Sequence, residues 1–137
     1  MKLTQVLTVF TAFGLLTACM DSADKTANKM ETTNIGVGYH CYVEGEKQSL
    51  SAGYNFEQGK LKSADVMLNK AFLAQNLPLD SNYTEGTQFT DGKNVWVLSE
   101  VITPENAKKV VPIMFYIKGE GTMGSDRIMA KNCTVSE

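Results

Sequence analysis

From residue 37 onward, short apolar or aromatic runs alternate with polar turn residues, and inside the runs the spacing is two rather than three or four. Val37-Gly38-Tyr39-His40-Cys41-Tyr42-Val43 is rich in aromatic and β-branched residues and stops at Glu44-Gly45-Glu46-Lys47, a turn. Leu50, Ala52, Tyr54 and Phe56 alternate with Ser51, Gly53 and Asn55, the pattern of a half-buried strand. Glu57-Gln58-Gly59-Lys60 reads as a hairpin turn into a weaker alternation over 61–68, and a further apolar run over 71–77 ends at Pro78. Thr90-Asp91-Gly92-Lys93 is another turn, followed by strands over 94–98, 110–117 and 127–133, with Pro112 marking an edge or a bulge. Residues 62–75 also carry Val66, Met67, Leu73 and Ala74 at spacings a helix could use, but Gly and Pro on both sides favour strands. About seven or eight strands with frequent turn signals predict an all-β fold, an antiparallel sandwich or a small barrel.

The pattern before residue 37 is of another kind. Met1-Lys2 gives a positive start, and residues 3–16 are uncharged and mostly apolar, too short to span a bilayer comfortably and ordered like a secretory signal. The run ends in Leu16-Thr17-Ala18-Cys19, which resembles a bacterial lipobox. That resemblance implies cleavage of residues 1–18 and a diacylglycerol on Cys19, with the amino terminus acylated as well, so that several chains give stable anchoring. Residues 19–36 are polar and small and read as a lipid-anchored disordered tether, leaving 37–137 as the folded domain.

Composition sharpens this. The chain has 137 residues, with 13 basic and 15 acidic side chains, for a formal charge of −2. Loss of the leader removes Lys2 and makes the balance one unit more acidic. No basic excess exists to release phosphate counterions, which excludes nucleic acid as a partner held by bulk electrostatics. Three Cys and one His leave little room for a four-ligand zinc site. With Cys19 taken by lipid, Cys41 and Cys133 in an oxidising compartment are most simply one disulfide. It closes a loop of roughly 90 residues, worth about 4–5 kcal/mol on the chain-entropy account.

Catalytic chemistry finds little support. A nucleophile–histidine pair has to use His40, which neighbours Cys41 on a strand, so the two side chains point to opposite faces. Carboxylates are scattered through the loops rather than paired. Met114, Met123 and Met129 with His40 could in principle make a soft copper site, but methionines in small β proteins usually pack. The expectation is a protein that is not an enzyme and holds no cofactor or metal. Contact residues are then sought in the connections: the polar stretch 79–93 with its two aromatics, the loop 102–109, and the glycine-rich 118–125.

The domain as a whole resembles the bacterial adhesin complex proteins and the related membrane-bound and periplasmic inhibitors of c-type lysozyme. The resemblance rests on Tyr39-His40-Cys41, on Tyr54-Asn55-Phe56-Glu57-Gln58-Gly59, on Pro112-Ile113-Met114 and on Asp126-Arg127-Ile128-Met129-Ala130-Lys131-Asn132-Cys133. It covers about residues 37–135. It implies an eight-stranded antiparallel flattened barrel closed by the Cys41–Cys133 disulfide, which binds c-type lysozyme and blocks its cleft. The implied setting is the outer membrane, facing the periplasm or the cell surface, and the adhesin complex branch adds adhesion to host cells as the alternative role.

One departure bears on the site. The membrane-bound inhibitors carry a Ser-Gly-x-x-Tyr loop, whose serine enters the lysozyme cleft, before a Thr-Asp-Gly turn. Here the run is Glu85-Gly86-Thr87-Gln88-Phe89-Thr90-Asp91-Gly92, with Glu85 in the place of the serine and Phe89 in that of the tyrosine. The serine's role is not carried over, and the adhesin complex branch is the closer match. The residues expected to touch a partner are Thr84, Glu85, Gly86, Thr87, Gln88 and Phe89, with Lys93 and Lys118; the cations able to reach a carboxylate-lined cleft are Lys93, Lys108, Lys109, Lys118 and Lys131, and the sequence does not choose among them.

Overall fold

The computed structural model describes residues 31–136. Cys19, the leader 1–18 and most of the expected tether lie outside the described residues. Eight antiparallel strands form a nearly closed barrel: β1 (Thr32–Val43), β2 (Glu46–Glu57), β3 (Lys60–Leu68), β4 (Ala71–Pro78), β5 (Thr87–Thr90), β6 (Asn94–Leu98), β7 (Pro112–Ile117) and β8 (Arg127–Val135). A 3-10 turn at Thr122–Gly124 interrupts the last connection. The folded part starts at Thr32 rather than Val37: residues 32–36 pair with 53–57 on β2 and belong to the barrel, not to a tether. Their polar composition hides a strand whose neighbour, not its own apolar content, sets its conformation.

The strands are hydrogen-bonded in the order β4-β3-β2-β1-β8-β7-β6-β5. Around the circle each strand therefore lies beside its neighbours in sequence, the up-and-down arrangement. The circle is completed between β4 and β5 by one bridge, Leu79 against Phe89, backed by a hydrogen bond of 2.8 Å from Asp80 N to Gln88 O. The other junction, between first and last strand, carries the Cys41–Cys133 disulfide, spanning 92 positions of sequence.

The alternation read from the sequence becomes the core. Val37, Tyr39, Cys41 and Val43 from β1 and Leu50, Ala52, Tyr54 and Phe56 from β2 point inward, meeting Phe89, Trp96 and Phe115 from the far wall. His40, between two buried residues, faces outward and is half-buried. Tyr39 and Tyr54 share a hydroxyl–hydroxyl hydrogen bond of 2.7 Å, and Trp96 Nε1 donates to the Tyr54 oxygen at 3.1 Å. Every buried polar tip in this aromatic cluster is thus satisfied, which is the condition for placing it there. Burial pushes the Tyr39 phenol up to about 12 despite its bond to Tyr54. It raises Tyr54 further, with the neighbouring Tyr39 adding to the effect.

Bulges keep the pattern in phase, among them one on β8 and one on β7. On β8, Lys131 lies opposite Tyr42 and Thr134 opposite His40, so β8 carries one residue more than β1 between them. Asn132 takes the extra place at φ 52°. Ala130 and Cys133, three apart, both face the core as a result, which strict alternation forbids. The bulge is what aims Cys133 at Cys41. Pro112 also falls at a register shift, opposite Leu98, on a strand flanked by neighbours on both sides, so it marks a bulge and not an edge.

Candidate functional site

Because successive strands reverse direction, their connections alternate between the two ends of the barrel. Residues 44–45, 69–70, 91–93 and 118–126 lie at one end. Residues 58–59, 79–86 and 99–111 lie at the other, where β1 begins and β8 finishes. The second rim carries the two connections 79–86 and 99–111, and the chain binds them to each other.

Gly86 makes the first link. Its φ is +137°, and a Cβ on it would come within 2.5 Å of the Leu98 carbonyl oxygen and 3.0 Å of the Ser99 carbonyl carbon. Only glycine allows the two backbones to approach this closely. Thr87 makes the second: its buried hydroxyl donates to Glu100 O at 2.8 Å and accepts from Ile102 N at 3.0 Å. Ile102, Ala107 and Val110 then turn inward and join the core, so the loop 99–111 stoppers this end of the barrel. A short turn holds it in shape, with Thr103 N donating to Asn106 Oδ1 at 2.7 Å and Ala107 N to Thr103 O at 3.0 Å. Val101, Thr103, Pro104, Glu105, Lys108 and Lys109 are left exposed. A shallow cleft of about 520 Å³ runs between Pro104, Glu105, Lys108 and Lys109 and the first residues of β1.

The expected contact residues are redistributed by this architecture. Thr84 and Glu85 are exposed at the rim, as a contact loop requires. Thr87 and Phe89 are not available to a partner: they belong to a strand, and both side chains are buried, Phe89 stacked near Tyr54 with ring centroids 5.9 Å apart. The stretch 79–93 was expected to be one polar connection, and β5 is the reason it is two. Gln88 faces outward but is half-buried, its amide donating to Asp80 Oδ2 at 2.9 Å. Gly86 is committed to the packing just described.

Lys93 and Lys118 stand at the opposite end, joined by a hydrogen bond of 2.9 Å from Lys118 N to Lys93 O. They do not share a surface with Thr84 and Glu85. Lys93 is also engaged, its Nζ 2.8 Å from Glu120 Oε2, an exposed ion pair that holds the Lys93 ammonium above its usual range and the Glu120 carboxyl below its own. The turn before it is set by Asp91, whose Oδ1 accepts from the backbone N–H groups of Asn94 at 2.7 Å and Lys93 at 2.9 Å. Those bonds lower the Asp91 carboxyl. Lys108 and Lys109, by contrast, lie at the same end as Glu85.

A disulfide-clasped, up-and-down β-barrel with one elaborated rim is the class these observations define. The ACP-like domain family matches residues 36–135, nearly the whole barrel, and the chain belongs to that family. An uncharacterized protein of Haemophilus influenzae is 30% identical over 146 aligned positions, covering 99% of this chain and 94% of that protein. No solved structure matches the chain.

Proposed function

We propose that this protein is a lipid-anchored, non-enzymatic binding module that docks on a c-type lysozyme and obstructs its cleft, so protecting peptidoglycan. The observation that carries the reading is the rim at which β1 begins, where Gly86 and Thr87 clasp the loop 79–86 to 99–111 and leave Thr84, Lys108 and Lys109 exposed. A rim already held in one shape loses little freedom on docking. The acidic balance of the chain favours a basic partner and speeds encounter with it. In this reading Cys19 carries the lipid and the barrel works at the outer membrane, facing the periplasm or the cell surface. The resemblance of the domain to the adhesin complex and lysozyme-inhibitor group supports the choice of partner.

The test is the lytic rate of a hen-type lysozyme on a peptidoglycan suspension, with the mature protein in micromolar excess. Slowed lysis is expected, and an unchanged rate discards the reading. A second reading, an outer-membrane adhesin that contacts the host-cell surface, is favoured by Glu85 itself. A carboxylate where the inhibitors have serine is repelled by the carboxylates of a glycosidase cleft. Glu85→Ser discriminates between them: improved inhibition supports lysozyme as the target, whereas loss of adherence in a deletion strain with no change in lysis supports the adhesin.

A further inference from the structure

At the end of the barrel away from that rim, residues 118–126 are mostly exposed and hold one large apolar side chain, Met123, out in water. Met123 is 99% exposed, whereas Met67, Met114 and Met129 are half-buried on the barrel wall. The exposure is built in. Met123 sits at φ 59° and ψ 31° within the turn Thr122–Gly124, a left-handed conformation that costs a residue with a Cβ about 1 kcal/mol or more. Gly121 precedes the turn and Gly124 closes it, so no side chain from either screens the sulfur. Gly121 N donates to Ser125 O at 2.6 Å, Gly124 N to Gly121 O at 3.2 Å, and the Ser125 hydroxyl to Thr122 O at 2.8 Å. None of these bonds uses the Met123 side chain. Nothing in the fold is gained from a thioether at this place.

A second observation concerns what competes for an oxidant. Thiolates outrun thioethers, but Cys41 and Cys133 are joined to each other, so neither offers a thiol. The same disulfide marks an oxidising compartment. Among the described residues, Met123 is the soft nucleophile that solvent reaches first.

We propose that Met123 is the preferred oxygen-acceptor site of this barrel, taking one oxygen atom from a hydroperoxide. Its sulfur lone pair attacks the outer peroxide oxygen; the S–O bond forms as the O–O bond breaks, and the leaving oxygen takes a proton to depart as water or alcohol. The thioether is oxidised by two electrons and the peroxide reduced by two. The product is a sulfoxide, which enzymes of the methionine sulfoxide reductase class return to the thioether. Because Met123 buries nothing, the change from an apolar to a polar tip leaves the core untouched. The barrel thus absorbs oxidant at a replaceable point instead of at Met67, Met114 or Met129.

The test is graded hydrogen peroxide on the intact protein, with peptide mass spectrometry for position and circular dichroism for the thermal midpoint. Met123 is expected to gain one oxygen in a separate, faster phase than Met67, Met114 or Met129, because solvent access governs the reaction. The midpoint should stay where it was once Met123 is converted. Met123→Leu should abolish the fast phase and keep the slow one, and a sulfoxide reductase should reverse the fast phase. Equal rates at the four sites, a midpoint that falls with the first oxygen, or a fast phase that survives Met123→Leu overturns the proposal.

Discussion

The first four strands and the last four build the same wall by different means. β1 to β4 are 12, 12, 9 and 8 residues long. They are joined by the two-residue turns Glu44-Gly45, Gln58-Gly59 and Asn69-Lys70, all six residues at positive φ. Such turns match the twist of the strands and fix the pairing register locally. β5, β6 and β7 have only 4, 5 and 6 residues, and residues 91–93, 99–111 and 118–126 connect the second half. Register there depends on what the strands bury, chiefly Phe89, Trp96 and Phe115. The lesson is a division of labour: a half held by its own turns supports a half whose ends are free to carry long loops.

Yet both halves finish on one device. Ala74-Gln75-Asn76-Leu77 on β4 and Ala130-Lys131-Asn132-Cys133 on β8 each place an asparagine at φ near 50° in a bulge, at 50° and 52°. In both, the residue after the asparagine is returned to the inner face. At Asn76 the backbone N–H is also held by Asp65 Oδ1 at 2.7 Å.

The two halves meet at the β1–β8 seam, and the largest effect is expected there. Replacing Cys41 and Cys133 together by Ala should cost about 4–5 kcal/mol on the chain-entropy account, read as a lower urea midpoint. A loss below about 1 kcal/mol would show that the closed ladder alone holds β1 to β8. Alkaline titration addresses the aromatic cluster that both halves share. Tyr39 has a folded pKa of about 12 against an ordinary value of 10, so the native state retains its proton longer than the unfolded chain does. Stability is therefore complete below pH 10 and falls as pH rises from 10 to 12, by about 1.4 kcal/mol per unit for each such proton. Unfolding free energies measured at pH 9 and pH 11.5 check the sign.

Glycine separates the halves more finely. Gly86→Ala should destabilise by about 1–3 kcal/mol, since it strains φ and drives a methyl into the Leu98 carbonyl. Gly36→Ala has open space and should be neutral or gain up to about 1 kcal/mol. Thermal midpoints of the pair suffice, and equal losses would deny the contrast. At the bulges, Asn132→Val should cost about 1–2 kcal/mol through its β-branch at positive φ, with Asn132→Gly close to neutral. Smallest of all, Lys93→Gln should leave the midpoint unmoved, because an exposed ion pair adds little to a loop held by backbone bonds.

Much of the barrel is visible in the sequence because turn chemistry and period-2 alternation coincide in the first half. Tyr39, Cys41, Leu50, Tyr54 and Phe56 are buried where alternation puts them. Two strand segments escape that reading for physical reasons. Residues 32–36 are polar or small and become a strand by pairing with β2. β5 reads as loop because its buried Thr87 satisfies its hydroxyl on distant backbone, which no local pattern reveals. The rim was legible only in part: Thr84 and Glu85 are exposed, but partnership with 99–111 depends on Gly86 meeting Leu98, a contact between residues far apart in the chain. The separation of Lys93 and Lys118 from that rim follows from strand direction, which becomes definite only once β5 is counted.

The circular strand order has a consequence for where the chain could begin. Every strand lies beside its sequence neighbours, and the disulfide already ties the last strand to the first. As a graph, the barrel is a ring with no natural origin. A gene rearranged to open at Gln58-Gly59, with a short linker joining the present ends of β8 and β1, keeps every pairing and merely moves the cut. Strand pairing alone does not fix which turn is left open.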